Sequence, residues 1–329
     1  MIEDRSIRFE GVFRNKIFRI GASAGALAIF CLSMVTYVSI APAGFPDGAT
    51  ISIEEGTTLD QTSNLLASRG LVRSSTAFKL YAALLGGTAG VKQGEYAFAS
   101  PQSALWIAYR LDHGIEGFPL AKVTLPEGVN TTQIAAIISR FIPGFDKAGF
   151  LALAKPYEGY LFPDTYFWPS NLTPQKAVSD MRDDFDARTA STTRELSAFG
   201  KSESDVIKMA SIVEKESASS TERKVIAGIL WKRLSLGMPL QADPTLEYAL
   251  GKSSSQLTLA DLATSSPYNT YNRAGLPPTP IDSPGLDAIE DTVMPTQTPY
   301  LYYLSGGDGV THYATTLEGQ IANKAKYLN

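Results

Sequence analysis

Between Ile20 and Ala41 the chain runs for 22 residues without a charged side chain, and that stretch limits how everything after it can be deployed. At 1.5 Å per residue, a helix of this length crosses the ~30 Å hydrocarbon layer of a bilayer. Arg5, Arg8, Arg14, Lys16 and Arg19 precede it, and the next basic residue is Arg69. The positive-inside bias therefore places the N-terminus in the cytoplasm and the chain from Pro42 onward outside. Ala41-Pro42-Ala43 also resembles a signal-peptide cleavage site, but the length of the run and the acidic Glu3, Asp4 and Glu10 before it favour an uncleaved anchor.

The remainder is a folded protein by composition, with 44% apolar and 19% charged residues over 329 positions. Its only cysteine, Cys31, lies inside the uncharged run, so the exported part can form neither a disulfide nor a thiolate metal site. Setting aside the five basic and three acidic residues before Ile20 leaves 24 Lys and Arg against 30 Asp and Glu, a net charge of −6. That argues against a nucleic-acid partner. His113 and His312 are the only histidines, which argues against a histidine-held zinc. No metal and no organic cofactor is expected.

The patterning predicts an α+β protein: a cytoplasmic segment 1–19, the span 20–41, a turn-rich linker 42–48, a small subdomain 49–128 and a mainly helical domain 129–329 with a small sheet. In the subdomain, Ala49 to Ile53 and Gly94 to Phe98 read as strands, and Leu59 to Arg69 and Ser103 to His113 as helices. Leu120 to Gly128 and the helix Thr131 to Phe141 repeat the strand-turn-helix pattern that begins at Ile51. Units of this kind are reminiscent of LysM modules, small folds that bind aminosugar polymers. Helices are then expected at 150–154, 175–189, 192–198, 204–217 and 221–236, followed by loops rich in Pro, Asn and Tyr, a strand at 300–304 and a last helix from Thr316.

The helix 204–217 carries the chemistry. Val206, Ile207, Met209, Ala210, Ile212 and Val213 cover more than half its circumference, and Glu214 and Glu216 flank that apolar sector from opposite sides. A carboxylate that loses water beside Ile and Met binds its proton more tightly, which is what a general acid needs. Periodicity does not choose between the two acids. Three other segments look specialised: the aromatic patch Glu158 to Tyr166, the turn Leu240 to Tyr248, and the loop Ser266 to Pro278. Each also has a plain structural reading, as strand core, turn or helix cap.

Taken in order, Ala210-Ser-Ile-Val-Glu-Lys-Glu216, Leu240-Gln-Ala-Asp-Pro-Thr245, Tyr268-Asn-Thr-Tyr271 and Gly275-Leu-Pro-Pro278 resemble the bacterial endolytic murein transglycosylases, the YceG-like membrane proteins. The resemblance covers residues 51–328 and the preceding anchor. It implies a lytic transglycosylase that cleaves the β-1,4 bond from N-acetylmuramic acid to N-acetylglucosamine in nascent glycan strands. The product is a 1,6-anhydro end, and strand elongation is terminated. It selects Glu216, followed by Ser217, as the catalytic acid. It also implies that Gln241, Asp243, Tyr268 and Asn269 position acetamido and hydroxyl groups, and that Tyr160, Phe162 and Asp164 shape the cleft. Peptidoglycan strands and membrane-bound peptidoglycan synthases are the implied partners, at the bacterial inner membrane with the catalytic domain in the periplasm. Two departures stand out: Thr279 where the family often has Gly, and Gln320, which does not fit the C-terminal signature that usually ends in Glu-His-Asn, although His312 and Glu318 do. The rival expectations are a peptidoglycan-binding scaffold without turnover and a hydrolytic muramidase, although the sequence offers no obvious second acid for the latter.

Overall fold

The computed structural model describes residues 25–86 and 91–328. The expected cytoplasmic segment 1–19 and the start of the expected span, Ile20 to Ala24, lie outside the described residues. Residues 25–39 form helix α1, with Leu27, Ile29, Phe30 and Leu32 exposed. Among the described residues no helix is long and apolar enough to cross a membrane.

The chain divides into two units, Met1–Pro119 and Leu120–Asn329. The first is built from β1 (Ala49–Ile53), α2 (Leu59–Ser68), α3 (Ser75–Gly86), β2 (Gly94–Phe98) and α4 (Ala104–His113). β1 and β2 pair antiparallel with Ile51 opposite Tyr96. Alternation along both strands sends Ile51, Ile53, Tyr96 and Phe98 into one core with Leu66, Phe78, Ile107 and Leu111. α2 begins where Thr58 and Gln61 form a reciprocal capping box, and α4 stops where Gly114 takes a left-handed φ of 70°.

The second unit opens with β3 (Leu120–Thr124), which pairs antiparallel with β4 (Thr165–Pro169), Val123 facing Tyr166. The subdomain expected at 49–128 thus loses its last strand to the second unit. The two similar strand-turn-helix segments match in local pattern only, because their strands have different partners. Next come α5 (Thr131–Phe141), α6 (Lys147–Ala154), α7 (Pro174–Thr189), α8 (Thr193–Phe199), α9 (Glu203–Glu216), α10 (Ser220–Ser235), α11 (Asp243–Leu250) and α12 (Leu286–Val293). The hairpin β5 (Tyr302–Ser305) and β6 (Thr311–Ala314) and the helix α13 (Leu317–Tyr327) close the chain.

α9 is the hub of this unit. Ser202 caps its N-terminus, and Val206, Ile207, Met209, Ala210, Ile212 and Val213 are all buried against α10, α11 and α12. A buried ion pair, Arg223 Nε to Asp291 Oδ2 at 2.8 Å, joins α10 to α12, and the Ser220 hydroxyl donates to the other Asp291 oxygen at 2.7 Å. α11, α12 and β6 fall where loops were expected. Asp243-Pro244, which also suits a turn, is equally a helix start, since a proline in the first turn has no N–H to waste.

Candidate active site

Glu216 ends α9, and Ser217 follows in extended conformation with its hydroxyl donating to Glu222 at 2.7 Å. Glu216 as a residue is half-buried. Loss of solvent around the carboxyl, reinforced by the charges of Asp243 and Glu247, pushes its pKa up to about 7; a hydrogen bond from Tyr303 pulls the other way. Glu214, on the opposite side of α9, has a different occupation. It accepts from the Gly285 N–H at 3.1 Å and so caps the start of α12, where burial also raises its pKa. One acid holds structure and the other is left poised.

Three elements and the loop that carries Tyr271 build the cluster around Glu216 and Tyr303. β5 supplies Tyr303, whose carbonyl accepts from Gln320 Nε2 on α13 at 2.9 Å. Gln320, at the position departing from the family pattern, is therefore buried and tethers the strand that carries the acid's partner. α11 supplies Asp243 at its first residue, and the Tyr271 hydroxyl donates to the Asp243 carboxylate. α10 supplies Arg233, which donates to Gln241 Oε1 at 2.5 Å and lies 5.4 Å from the Tyr302 ring. Gln241 itself has φ 54°, the only positive value for a non-glycine among the described residues. Its N–H donates to the Thr270 carbonyl at 2.9 Å, and the Ala242 N–H to the Thr270 hydroxyl at 3.1 Å. The 240–245 turn and the 268–274 loop are thereby locked together.

Beside this cluster runs a groove of about 900 Å³, lined by Pro244, Glu247 and Tyr248 of α11, by Tyr268, and by Ile281 and Asp282. Glu216 is not part of its lining; Glu247, whose charge acts on Glu216, is. The Tyr268 hydroxyl shares a 2.8 Å hydrogen bond with Thr279, and its ring sits 5.0 Å from Tyr248. Thr279, the other departure from the pattern, thus orients a groove tyrosine.

Several expected positions have other duties. Asn269 is fully buried: its amide donates to the carbonyls of Leu262 and Thr264 at 3.0 and 2.9 Å, and its oxygen accepts from the Tyr271 N–H at 2.9 Å. It orders the loop, with both amide hydrogens committed to backbone carbonyls. Tyr160 and Phe162 pack in the core with Phe185, Asp164 pairs with Arg188 of α7, and none of the three lines the groove. Of the aromatic patch only Glu158 is chemically distinctive, accepting from Thr131 N and Oγ1 at 3.0 and 2.8 Å and from the Tyr248 hydroxyl at 3.1 Å. Tyr303, Arg233 and Glu247 were not singled out from the sequence. For Tyr303 the signal was present in Tyr300 to Leu304, but alternation cannot say which tyrosine meets an acid distant in sequence.

Fold and site together define an α+β protein built around one glutamic acid at a helix end, its pKa raised to about 7, and neighboured by two further carboxylates. The chain belongs to the YceG-like family, whose model matches residues 51–326. It is 30% identical over 322 residues to the endolytic murein transglycosylase of Streptococcus pneumoniae strain D39, covering 85% of this chain and 58% of that protein. It is 29% identical over 306 residues to the endolytic murein transglycosylase of Bacillus subtilis strain 168, covering 85% and 84%. The crystal structure of a YceG-like protein from Listeria monocytogenes superposes with a TM-score of 0.57 at 29% identity, over 84% of this chain and 99% of that one. The chain thus spans little more than half the length of the pneumococcal relative and most of the Bacillus one.

Proposed function

We propose that this chain is an endolytic peptidoglycan lytic transglycosylase, held at the bacterial inner membrane by one N-terminal helix and cutting nascent glycan strands outside it. The observation that carries the reading is Glu216: a helix-terminal acid whose pKa is pushed up to about 7, in a family whose pneumococcal and Bacillus members bear that activity in their names. Glu216 gives its proton to the oxygen linking N-acetylmuramic acid to N-acetylglucosamine, and the C1–O bond breaks. The muramic C6 oxygen attacks C1, its hydroxyl proton passes to the Glu216 carboxylate, and the acid is regenerated. No water is consumed, and the new end is a 1,6-anhydro ring. Gln241, Asp243 and Tyr268 are the positions we assign to holding the sugar.

The uncharged run Ile20 to Ala41 supports the anchor. The β1-α2-α3-β2 arrangement is compatible with a LysM-like glycan-binding role for the first unit. Termination of strand growth and docking with membrane-bound synthases complete the proposal. A second reading, hydrolytic cleavage by two carboxylates, draws on one observation, the charge of Asp243 beside Glu216.

Purified glycan strands digested by the full chain decide the matter. Anhydro ends, lighter by one water than reducing ends, are expected from the wild type. Glu216→Gln is expected to lose at least about 100-fold in rate, as removal of a general acid does. Wild-type cleavage by that variant would remove the assignment, and reducing ends from the wild type would favour the muramidase.

A further inference from the structure

The groove beside the acid holds chemistry that bond cleavage does not use. Lys155, just after α6, and Lys215, in the last turn of α9, both line it, and neither ammonium has a hydrogen bond or ion pair among the described residues. The third lysine there, Lys252, is already spent on Asp261 at 2.6 Å. Asp282, 1% exposed, also lines the groove, and neither of its carboxyl oxygens has a partner. Burial raises its pKa well above the usual carboxylate range, and the nearby charges of Glu214 and Glu158 add to that while Lys215 opposes it. Asp282 therefore holds its proton more tightly than an ordinary carboxyl, and a buried carboxyl with both oxygens unpartnered is able to donate an O–H to a ligand in the groove. The backbone beside it is pinned, since Gly128 N donates to the Ser283 carbonyl and Ser283 N to the Val129 carbonyl, each at 2.9 Å. An orphaned buried donor on a fixed backbone is costly unless a partner arrives.

Two ammonium groups without a hydrogen bond or ion pair among the described residues and one buried carboxyl with no partner suit a ligand that carries carboxylates and amide carbonyls together. A glycan backbone offers hydroxyls, acetamido groups and at most a lactyl carboxylate. The peptide attached to that lactyl group adds several carboxylates and a run of amides. We propose that the groove binds the stem peptide of the muramoyl residue, with Lys155 and Lys215 holding its carboxylates and Asp282 donating to an amide carbonyl. The proposal rests on the glycan-cleaving reading above for the identity of the strand, and it makes the enzyme selective for strands whose peptides are still in place.

Calorimetric titration of the full chain with N-acetylglucosaminyl-N-acetylmuramoyl tripeptide, and with the same disaccharide lacking the peptide, tests this without any cleavage step. The tripeptide form is expected to bind about tenfold more tightly, the size of one or two charge-assisted contacts. The gap should narrow as salt rises. The double substitution Lys155→Ala with Lys215→Ala should abolish the gap, and the corresponding double change to Arg should keep it, a rescue that misfolding could not mimic. On long strands, the Ala pair should raise KM for peptide-bearing glycan about tenfold with kcat moving little. Equal wild-type affinities, or a gap that survives the Ala pair, overturns the proposal even if glycan is cut normally. A lysine-dependent gap in a protein that yields no anhydro ends leaves the groove standing and overturns the cleavage reading instead.

Discussion

Glu216 holds its proton at a cost to the folded state. Unfolded, the carboxyl ionises near 4.5; folded, it does so at about 7. Between these values the native state binds the extra proton, so this group's contribution favours folding at low pH and is lost as pH rises through about 7. Glu216→Gln removes the titration. Thermal melts should therefore find the variant more stable than wild type at pH 8, by roughly 1–3 kcal/mol, with the difference vanishing below pH 4.5. Tyr303 acts in the opposite sense, because its hydroxyl favours the ionised acid. Tyr303→Phe keeps the ring and should move the alkaline limb of the kcat/KM profile up by about one pH unit, the worth of one such hydrogen bond. The apolar sector around Val206 to Val213 was legible from sequence because helical period and burial go together. The resemblance picked Glu216, and the reason Glu214 is different, its bond to Gly285, lies 71 residues away and leaves no local trace.

Helices with a cap and a wide apolar face were legible for the same reason. Asn130 with Gln133, Ser202 and Thr316 each sit where the sequence puts a helix start, and each accepts the N–H expected of it. α12 escaped because its N-cap, Gly285, has no side chain of its own to cap the helix, and its eight residues include Asp287, Glu290 and Asp291. Only the assembled unit gives Asp291 its meaning, as the buried partner of Arg223. Asp291→Ala strands that guanidinium in the core and should cost about 3–5 kcal/mol in denaturant melts; replacing both partners by well-packed apolar residues should recover most of it. The aromatic patch is the reverse case. Tyr160, Phe162 and Asp164 look like a sugar platform in one dimension, yet α7 covers them with Phe185 and Arg188. Aromatic residues bury large areas, and core packing claims them unless geometry leaves a face open.

At the scale of the molecule, each unit owns a core: Ile51, Leu66, Phe78 and Phe98 in the first, and Val206, Ile212, Leu230 and Ile289 in the second. Residues 120–329 expressed alone should thus unfold in one cooperative transition with native-like far-UV circular dichroism; a non-cooperative melt would show that the first unit is needed for its partner's integrity. Gln241 carries a last consequence. Its left-handed backbone is closed to β-branched side chains and open to Gly or Asn. Evolutionary drift at this site should pass through a narrow set of replacements, and laboratory selections that admit Val or Ile there should yield proteins that still assemble yet turn over poorly.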